Sequence, residues 1–146
     1  MNPILGIDFG QVRIGLAISD ELQMLAHPLQ TLPGNREAKR RIAEIVRNRK
    51  IEKVVVGIPR HMSGEIGEAA KRALDFVADL RRDLPCPIET WDERLTTVAA
   101  NRALAAAGKK TRQSRQFVDQ VAAQMILQGY LDRAQAAVES PDPPNR

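Results

Sequence analysis

Acidic residues stand at three places where an acid is unexpected: Asp8, the adjacent pair Asp92 and Glu93, and Asp119. Asp8 lies in Leu5-Gly6-Ile7-Asp8-Phe9-Gly10, an apolar run that reads as a buried strand ending on a carboxylate. Asp92 and Glu93 follow Ile88-Glu89-Thr90-Trp91, another short strand. Asp119 has Ala122, Ala123 and Ile126 at i+3, i+4 and i+7, which on a helix puts it on the face that must pack. A charge removed from water is costly unless it is paired or neutralised. Carboxylates from separated segments, each under that penalty, share one economical explanation: together they hold a hard divalent cation, Mg²⁺ or Mn²⁺, which prefers oxygen ligands. Such a site suits phosphodiester hydrolysis, in which bound ions activate water and steady the leaving oxygen. The residues alone leave open whether Asp92 or Glu93 faces the site. They also leave open a purely structural pairing of Asp8 with Arg13, Glu93 with Arg94 and Asp119 with Arg115.

Cations cluster near the same segments. Arg13, Arg60, Lys109, Lys110, Arg112 and Arg115, together with Ser63, are candidate nucleic-acid contacts. Ser63, Gly64 and Gly67 precede a helix, where backbone amides can approach a phosphate. His61 reads as an exposed loop residue and Trp91 as a core residue.

The elements that must position these groups follow from periodicity. Two apolar runs within Leu5 to Asp20 flank a short turn carrying Gly10 and form a hairpin, and Gln23 to Leu32 supplies a third strand that Pro28 confines to an edge or a bulge. Asn35 is placed to cap a helix over 36–49, with Ala38, Ile42, Ile45 and Val46 inward and Lys39, Arg40, Arg41, Arg47 and Arg49 outward. Val54 to Pro59 has the continuous apolar character of a strand buried on both faces. A helix then runs to about Asp83, with Ala70, Leu74, Val77 and Ala78 inward. After the strand at 88–91, Thr96 or Thr97 caps a helix through about Ala107, and Gly108 ends it. Lys109 to Arg115 reads as a mobile basic loop, 116–137 as a long last helix, and 139–146 as a disordered tail on a single domain of residues 1–138. An antiparallel hairpin joined to two strand-helix units predicts an α/β fold: a five-stranded mixed sheet, its first three strands antiparallel and the others parallel, flanked by helices. Ligand sites in such sheets gather beyond the carboxyl ends of the parallel strands, where Asp8, Gly57 to Pro59 and Asp92-Glu93 emerge.

Composition narrows the partners. Lys and Arg exceed Asp and Glu by 22 to 18 in 146 residues, which is compatible with a polyanionic partner. Three Phe, one Trp and one Tyr are few for a protein that stacks splayed bases, so a nucleic acid would be gripped by backbone and shape. One Cys and two His cannot build an ordinary structural zinc site or an internal disulfide. The absence of an apolar run of membrane-spanning length, and of a charged leader before the first strand, predicts a cytoplasmic protein without membrane association.

Four motifs in order add a resemblance. Leu5 to Gly10 with Arg13 to Asp20, Val55 to Pro59 with Met62 to Gly67, Trp91 to Thr97, and Val118 to Ala123 with Ile126 to Leu131 together resemble the YqgF/RuvX family over residues 4–133. The resemblance implies a ribonuclease H-like fold and a divalent-metal-dependent nuclease. It implies a catalytic and metal-binding triad of Asp8, Glu93 and Asp119. Members are described both as nucleases maturing the precursor of small-subunit (16S) ribosomal RNA and as Holliday junction resolvases, so rRNA precursor and branched DNA are both implied as partners, for a monomer or homodimer. One departure is visible: Arg115-Gln116-Phe117 precede Asp119 where the family commonly has lysine. Two further classes compete. Gly6 to Gly10 also looks like the phosphate hairpin of actin-like ATPases and sugar kinases, which need two such lobes where this chain has one. A non-catalytic nucleic-acid-binding module would use the basic helix face and leave the carboxylates incidental.

Overall fold

The computed structural model describes residues 1–96, 98 and 112–139. Strands β1 (Ile4–Phe9), β2 (Arg13–Ser19) and β3 (Ala26–Pro33) form an antiparallel meander, and β4 (Lys53–Ile58) and β5 (Ile88–Asp92) run parallel to β1. The sheet order is β3-β2-β1-β4-β5. Helix α1 (Glu37–Asn48) links β3 to β4, α2 (Glu68–Asp83) links β4 to β5, and α3 (Arg112–Glu139) is the last element described. Among the described residues no helix is long and apolar enough to cross a membrane.

Alternation along the strands sends successive side chains to opposite faces. Leu5, Ile7, Ile14, Leu16, Val54, Val56 and Ile58 form one core with Ala38, Ile42 and Val46 of α1 and Ala70, Ala73, Phe76, Val77 and Leu80 of α2. Ile4, Ala17, Val55 and Trp91 form the other with Ala122, Ala123, Ile126, Leu127 and Leu131 of α3. The sheet is thus apolar on both faces, as the unbroken Val54-Val55-Val56 run implies.

Several boundaries move from where the sequence places them. β3 begins at Ala26 rather than Gln23, because Asp20 Oδ1 accepts from the amides of Met24 (2.7 Å) and Leu25 (3.3 Å) and holds 20–25 as a loop. Pro28 lies on the edge strand and also at a bulge, where the register with β2 slips between Leu16 and Ala17. Asn35 Oδ1 accepts from the Glu37 amide at 2.9 Å, so it does cap the start of α1. Ala78 is exposed, and Ala73, Phe76 and Leu80 take the inward positions of α2 instead. α3 begins at Arg112, so the segment read as a loop is helical from that residue onward, and Glu139 closes the helix. Arginine and glutamine are good helix formers, so the polar composition of this stretch is compatible with a helix. The helix expected through Ala107, Lys109, Lys110 and the tail beyond Glu139 lie outside the described residues.

α3 lies unusually close to the sheet, because the strand residues beneath it are glycines. A Cβ on Gly6 would stand 2.7 Å from Leu127 Cβ, one on Gly15 would fall on the Asp119 carbonyl, and one on Gly57 would meet the tip of Ile126. Farther along, a polar tie fixes the same helix: Lys53 Nζ donates to the Tyr130 hydroxyl at 2.6 Å, and Tyr130 donates to Glu89, which also pairs with Lys53 at 3.1 Å.

Two predictions follow from this packing. Gly15→Ala pushes a methyl into backbone that cannot retreat, so urea unfolding should show a loss of about 2 kcal/mol or more, whereas Gly57→Ala meets flexible side-chain ends and should cost clearly less. Equal losses would contradict the close-approach account. The hydrogen bond from Tyr130, reinforced by Lys53, holds the Glu89 carboxyl below its ordinary range. Because that value is lower folded than unfolded, its stabilisation is complete above the ordinary carboxylate range and fades as pH falls through the folded value. Thermal melting of Glu89→Gln should therefore depend less on pH than wild type between about pH 5 and pH 3.

Candidate functional site

The carboxyl ends of β1, β4 and β5 open on one rim of the sheet, and the unexpected acids come to it. Asp8 is the penultimate residue of β1 and shares the α3 face with Ile4 and Gly6. Its neighbour Phe9 turns to the opposite face and stacks on Phe76, with ring centroids 4.5 Å apart. Asp8 lies directly across from Gly15 on β2. On the other side, one step past the Ile7–Val56 pair, stands Gly57. Both strand neighbours of Asp8 on this face therefore lack side chains, leaving an alcove in which the carboxylate is only 8% exposed.

Glu93 reaches the same alcove from β5. The strand ends at Asp92, whose Oδ1 accepts from the Arg94 amide at 2.9 Å and starts a single 3₁₀ turn over Glu93–Leu95. That turn carries Glu93 inward, where it is 6% exposed. Its Oε2 lies 2.8 Å from where a Cβ on Gly57 would stand, so the absence of a side chain there is what makes room for the carboxylate. Asp92 faces the other way. Arg94 grips it through Nε (3.0 Å) and a terminal nitrogen (2.6 Å), and this pairing holds the Asp92 carboxyl below the usual carboxylate range.

Asp119 enters from α3. Its backbone presses on Gly15, the residue opposite Asp8, and its Oδ2 accepts from Arg13 Nε at 2.6 Å. Arg13 and Gly15 project to the same face of β2, so a helix that crosses Gly15 necessarily passes beneath the Arg13 side chain. The pairings that the sequence suggests are thus exchanged. Arg13 reaches Asp119 rather than Asp8, because the helix lies closer to it. Arg94 reaches Asp92 rather than Glu93, because Asp92 caps the turn through the Arg94 amide, which brings the two side chains together, while Glu93 points inward.

Among the described residues, no group of three His, Cys, Asp or Glu side chains stands ready to hold a metal ion. The space that a Gly57 side chain would need is taken by Glu93 and the tip of Ile126, and Asp8 stands on the neighbouring strand, so two hard oxygen donors of the kind an oxygen-preferring divalent ion takes meet this part of the rim. Asp119, the third acid, is engaged by Arg13.

The candidate nucleic-acid contacts are more dispersed. Arg60 and Ser63 are exposed in the loop after β4. That loop is closed by the Gly64 amide on the His61 carbonyl (2.8 Å) and the His61 amide on the Glu65 carbonyl (3.1 Å), and Gly64 has φ +93°, which favours glycine. The His61 ring lies against Gly67 at the start of α2, filling the space the sequence reading left for a phosphate. Arg13 and Arg115 line one cavity of about 210 Å³ with Thr31 and Gln116. Arg112 is the first residue of α3. The roles of Gly15 and Arg94 escaped the sequence reading. Their signals were a small residue opposite Asp8 in the hairpin register and an arginine two positions after an aspartate.

Comparison with known proteins gives this rim a family. Residues 2–133 match the family model described as "RuvX: Holliday junction resolvase". A Nocardia farcinica protein named "Putative pre-16S rRNA nuclease" is 48% identical over 145 residues, covering 93% of this chain and 81% of that protein. A Halalkalibacterium halodurans protein of the same name is 44% identical over 135 residues, covering 90% and 96%. Among solved structures, Thermus thermophilus RuvC in complex with a Holliday junction substrate superposes with a TM-score of 0.59 at 17% identity, covering 92% of this chain and 96% of that one, so the fold is ribonuclease H-like. With a family match spanning nearly all of the described fold and relatives of this similarity, the chain belongs to the RuvX family and is a nuclease, a hydrolase of ester bonds.

Proposed function

We propose that this nuclease cuts the precursor of 16S ribosomal RNA, that Asp8, Glu93 and Asp119 form its catalytic site, and that they do so with a divalent cation, Mg²⁺ or Mn²⁺. The observation that carries the site assignment is the approach of two buried acids, Asp8 from β1 and Glu93 from the turn after β5, to the same glycine, Gly57. Two carboxylates brought so far out of solvent on one rim are hard oxygen donors held in place. They make a good pair of ligands. The names carried by relatives over most of their length support the rRNA substrate.

Within this reading Asp8 supplies an oxygen ligand from β1, Glu93 one from the turn after β5, and Asp119 a third from the helix. A divalent ion bound there would polarise the scissile phosphate and lower the cost of charge on the leaving oxygen. The chain itself binds and orients the substrate. The glycines around Asp8 leave the alcove shallow enough for a phosphate to approach, while Arg60, Ser63, Lys109, Lys110, Arg112 and Arg115 are proposed to hold flanking backbone phosphates. Backbone contacts of this kind make binding fall steeply with salt. The description of the family model favours a second reading, a four-way DNA junction as substrate. Symmetric cutting of a junction requires two copies of the site, so a monomer in solution favours the RNA.

The test is cleavage of a labelled 16S precursor and of a four-way DNA junction, with Mg²⁺ or Mn²⁺ and with chelator. Asp8→Asn, Glu93→Gln and Asp119→Asn should each lower kcat by about 100-fold or more, and chelator should abolish cleavage. Asp92→Asn should retain most of the activity, because Asp92 is committed to Arg94. Survival of cleavage in both Asp8→Asn and Asp119→Asn would remove the assignment to this rim. Cleavage of the junction but not the precursor would replace the RNA with the second substrate.

A further inference from the structure

Of the three acids proposed as ligands, Asp119 is held by an arginine. Arg13 Nε donates to its Oδ2 at 2.6 Å, and among the described residues Asp119 is the one partner of Arg13. The contact is charge-assisted and sheltered, with the Asp119 side chain 14% exposed. The carboxylate is thus already paired without any ion. A guanidinium and a divalent ion cannot both have the same oxygen in full, so whatever binds the ion must first loosen the arginine. The Arg13 side chain is 34% exposed and borders the cavity of about 210 Å³ shared with Arg115, Thr31 and Gln116, so it has both solvent and space in which to withdraw.

We propose that Arg13 is a positioning residue that acts as a built-in counter-cation for Asp119: it holds the third carboxylate in the ion-free protein and competes with the divalent cation for it. The proposal rests on the reading that Asp119 joins Asp8 and Glu93 around such an ion. In this role Arg13 keeps an otherwise uncompensated acid from destabilising the rim, and it raises the ion concentration at which the site assembles. Occupancy of the site then reports the balance between one intramolecular cation and one from solution.

The measurement is a Mn²⁺ titration by isothermal calorimetry on the full chain, comparing wild type with Arg13→Gln, Arg13→Lys, Arg60→Gln and Asp119→Asn, each checked for folding by thermal melting. Removing the competitor should tighten Mn²⁺ binding by about fivefold or more in Arg13→Gln. Arg60→Gln removes the same charge from the rim without touching Asp119, so it should change affinity by less than about twofold. Arg13→Lys keeps the charge but not the Nε donor and should fall between wild type and Arg13→Gln, so it decides the matter if Arg13→Gln does not fold. In the Asp119→Asn background, Arg13→Gln should tighten binding no more than Arg60→Gln does. The proposal is overturned if Arg13→Gln matches Arg60→Gln, or if it weakens Mn²⁺ binding, which would make Arg13 an organiser of the site rather than a competitor. Failure of the wild type to bind Mn²⁺ at all, or binding unchanged in Asp8→Asn, would instead bring down the metal reading beneath it.

Discussion

The site depends on how closely α3 lies on the sheet. Side chains ordinarily hold a helix off the sheet it packs on. Gly6, Gly15 and Gly57 occupy the α3 face of three adjacent strands and remove that spacer where the helix crosses. The result is a backbone approach that a single methyl at Gly15 would disturb. Farther along, the helix rests on ordinary side chains, with Leu131 fully buried in the core that holds Ile4, Val55 and Trp91. The same helix is therefore tightly seated at the site end and ordinarily packed elsewhere, and the Lys53–Tyr130–Glu89 tie fixes its rotation.

Close approach alone would bring negative charges together in a sheltered place, and the fold answers each one differently. Asp92 is turned outward and given to Arg94. Asp119 is given to Arg13. Asp8, on β1, and Glu93, in the 3₁₀ turn after β5, lie against the glycines and are withdrawn from water. Burial of acids with so little solvent lowers stability relative to an apolar rim, and proteins retain such arrangements where the geometry does chemistry. α1 shows the contrast. Its outward cation Arg40 is matched within the helix by Glu37 and Glu44, and Lys39 by Asp79 of α2, ordinary ion pairs of a solvated face. The rim differs in that Asp8, Glu93 and Asp119 come from distant segments, and Asp119 takes its arginine from another element.

Much of this was legible in the sequence because the signals are local. The Val54-Val55-Val56 run can only be a strand covered on both sides, Pro28 can only sit where no ladder bond is needed, and the i+3, i+4, i+7 pattern after Asp119 fixes which way that residue faces. What was not legible required knowing distances between segments. The hairpin register sets Asp8 opposite Gly15, but nothing in the sequence says that a helix passes over that glycine, and without the helix Arg13 looks like a partner for Asp8. Glu93 and Asp92 could be told apart only by the 3₁₀ turn, whose start depends on an aspartate capping its own second neighbour. The first turn of α3 was misread for a related reason: a polar helix start and a polar loop have the same composition, and tertiary position decides between them.

Gly15 joins these threads, because it serves both strand pairing and helix docking. Across the sheet it leaves the space beside Asp8 open; above the sheet it lets the Asp119 backbone descend; along β2 it sets Arg13, two residues earlier, on the face where Asp119 arrives. A substitution there changes three distances at once, so packing and chemistry at this rim cannot be altered independently. The acid-arginine contact is then a consequence of the same geometry that gathers the acids. Any chain that lowers this helix onto this hairpin with an arginine two positions before the glycine brings a cation to the helix carboxylate, and the strength of that contact sets how readily the carboxylate can be given to anything else.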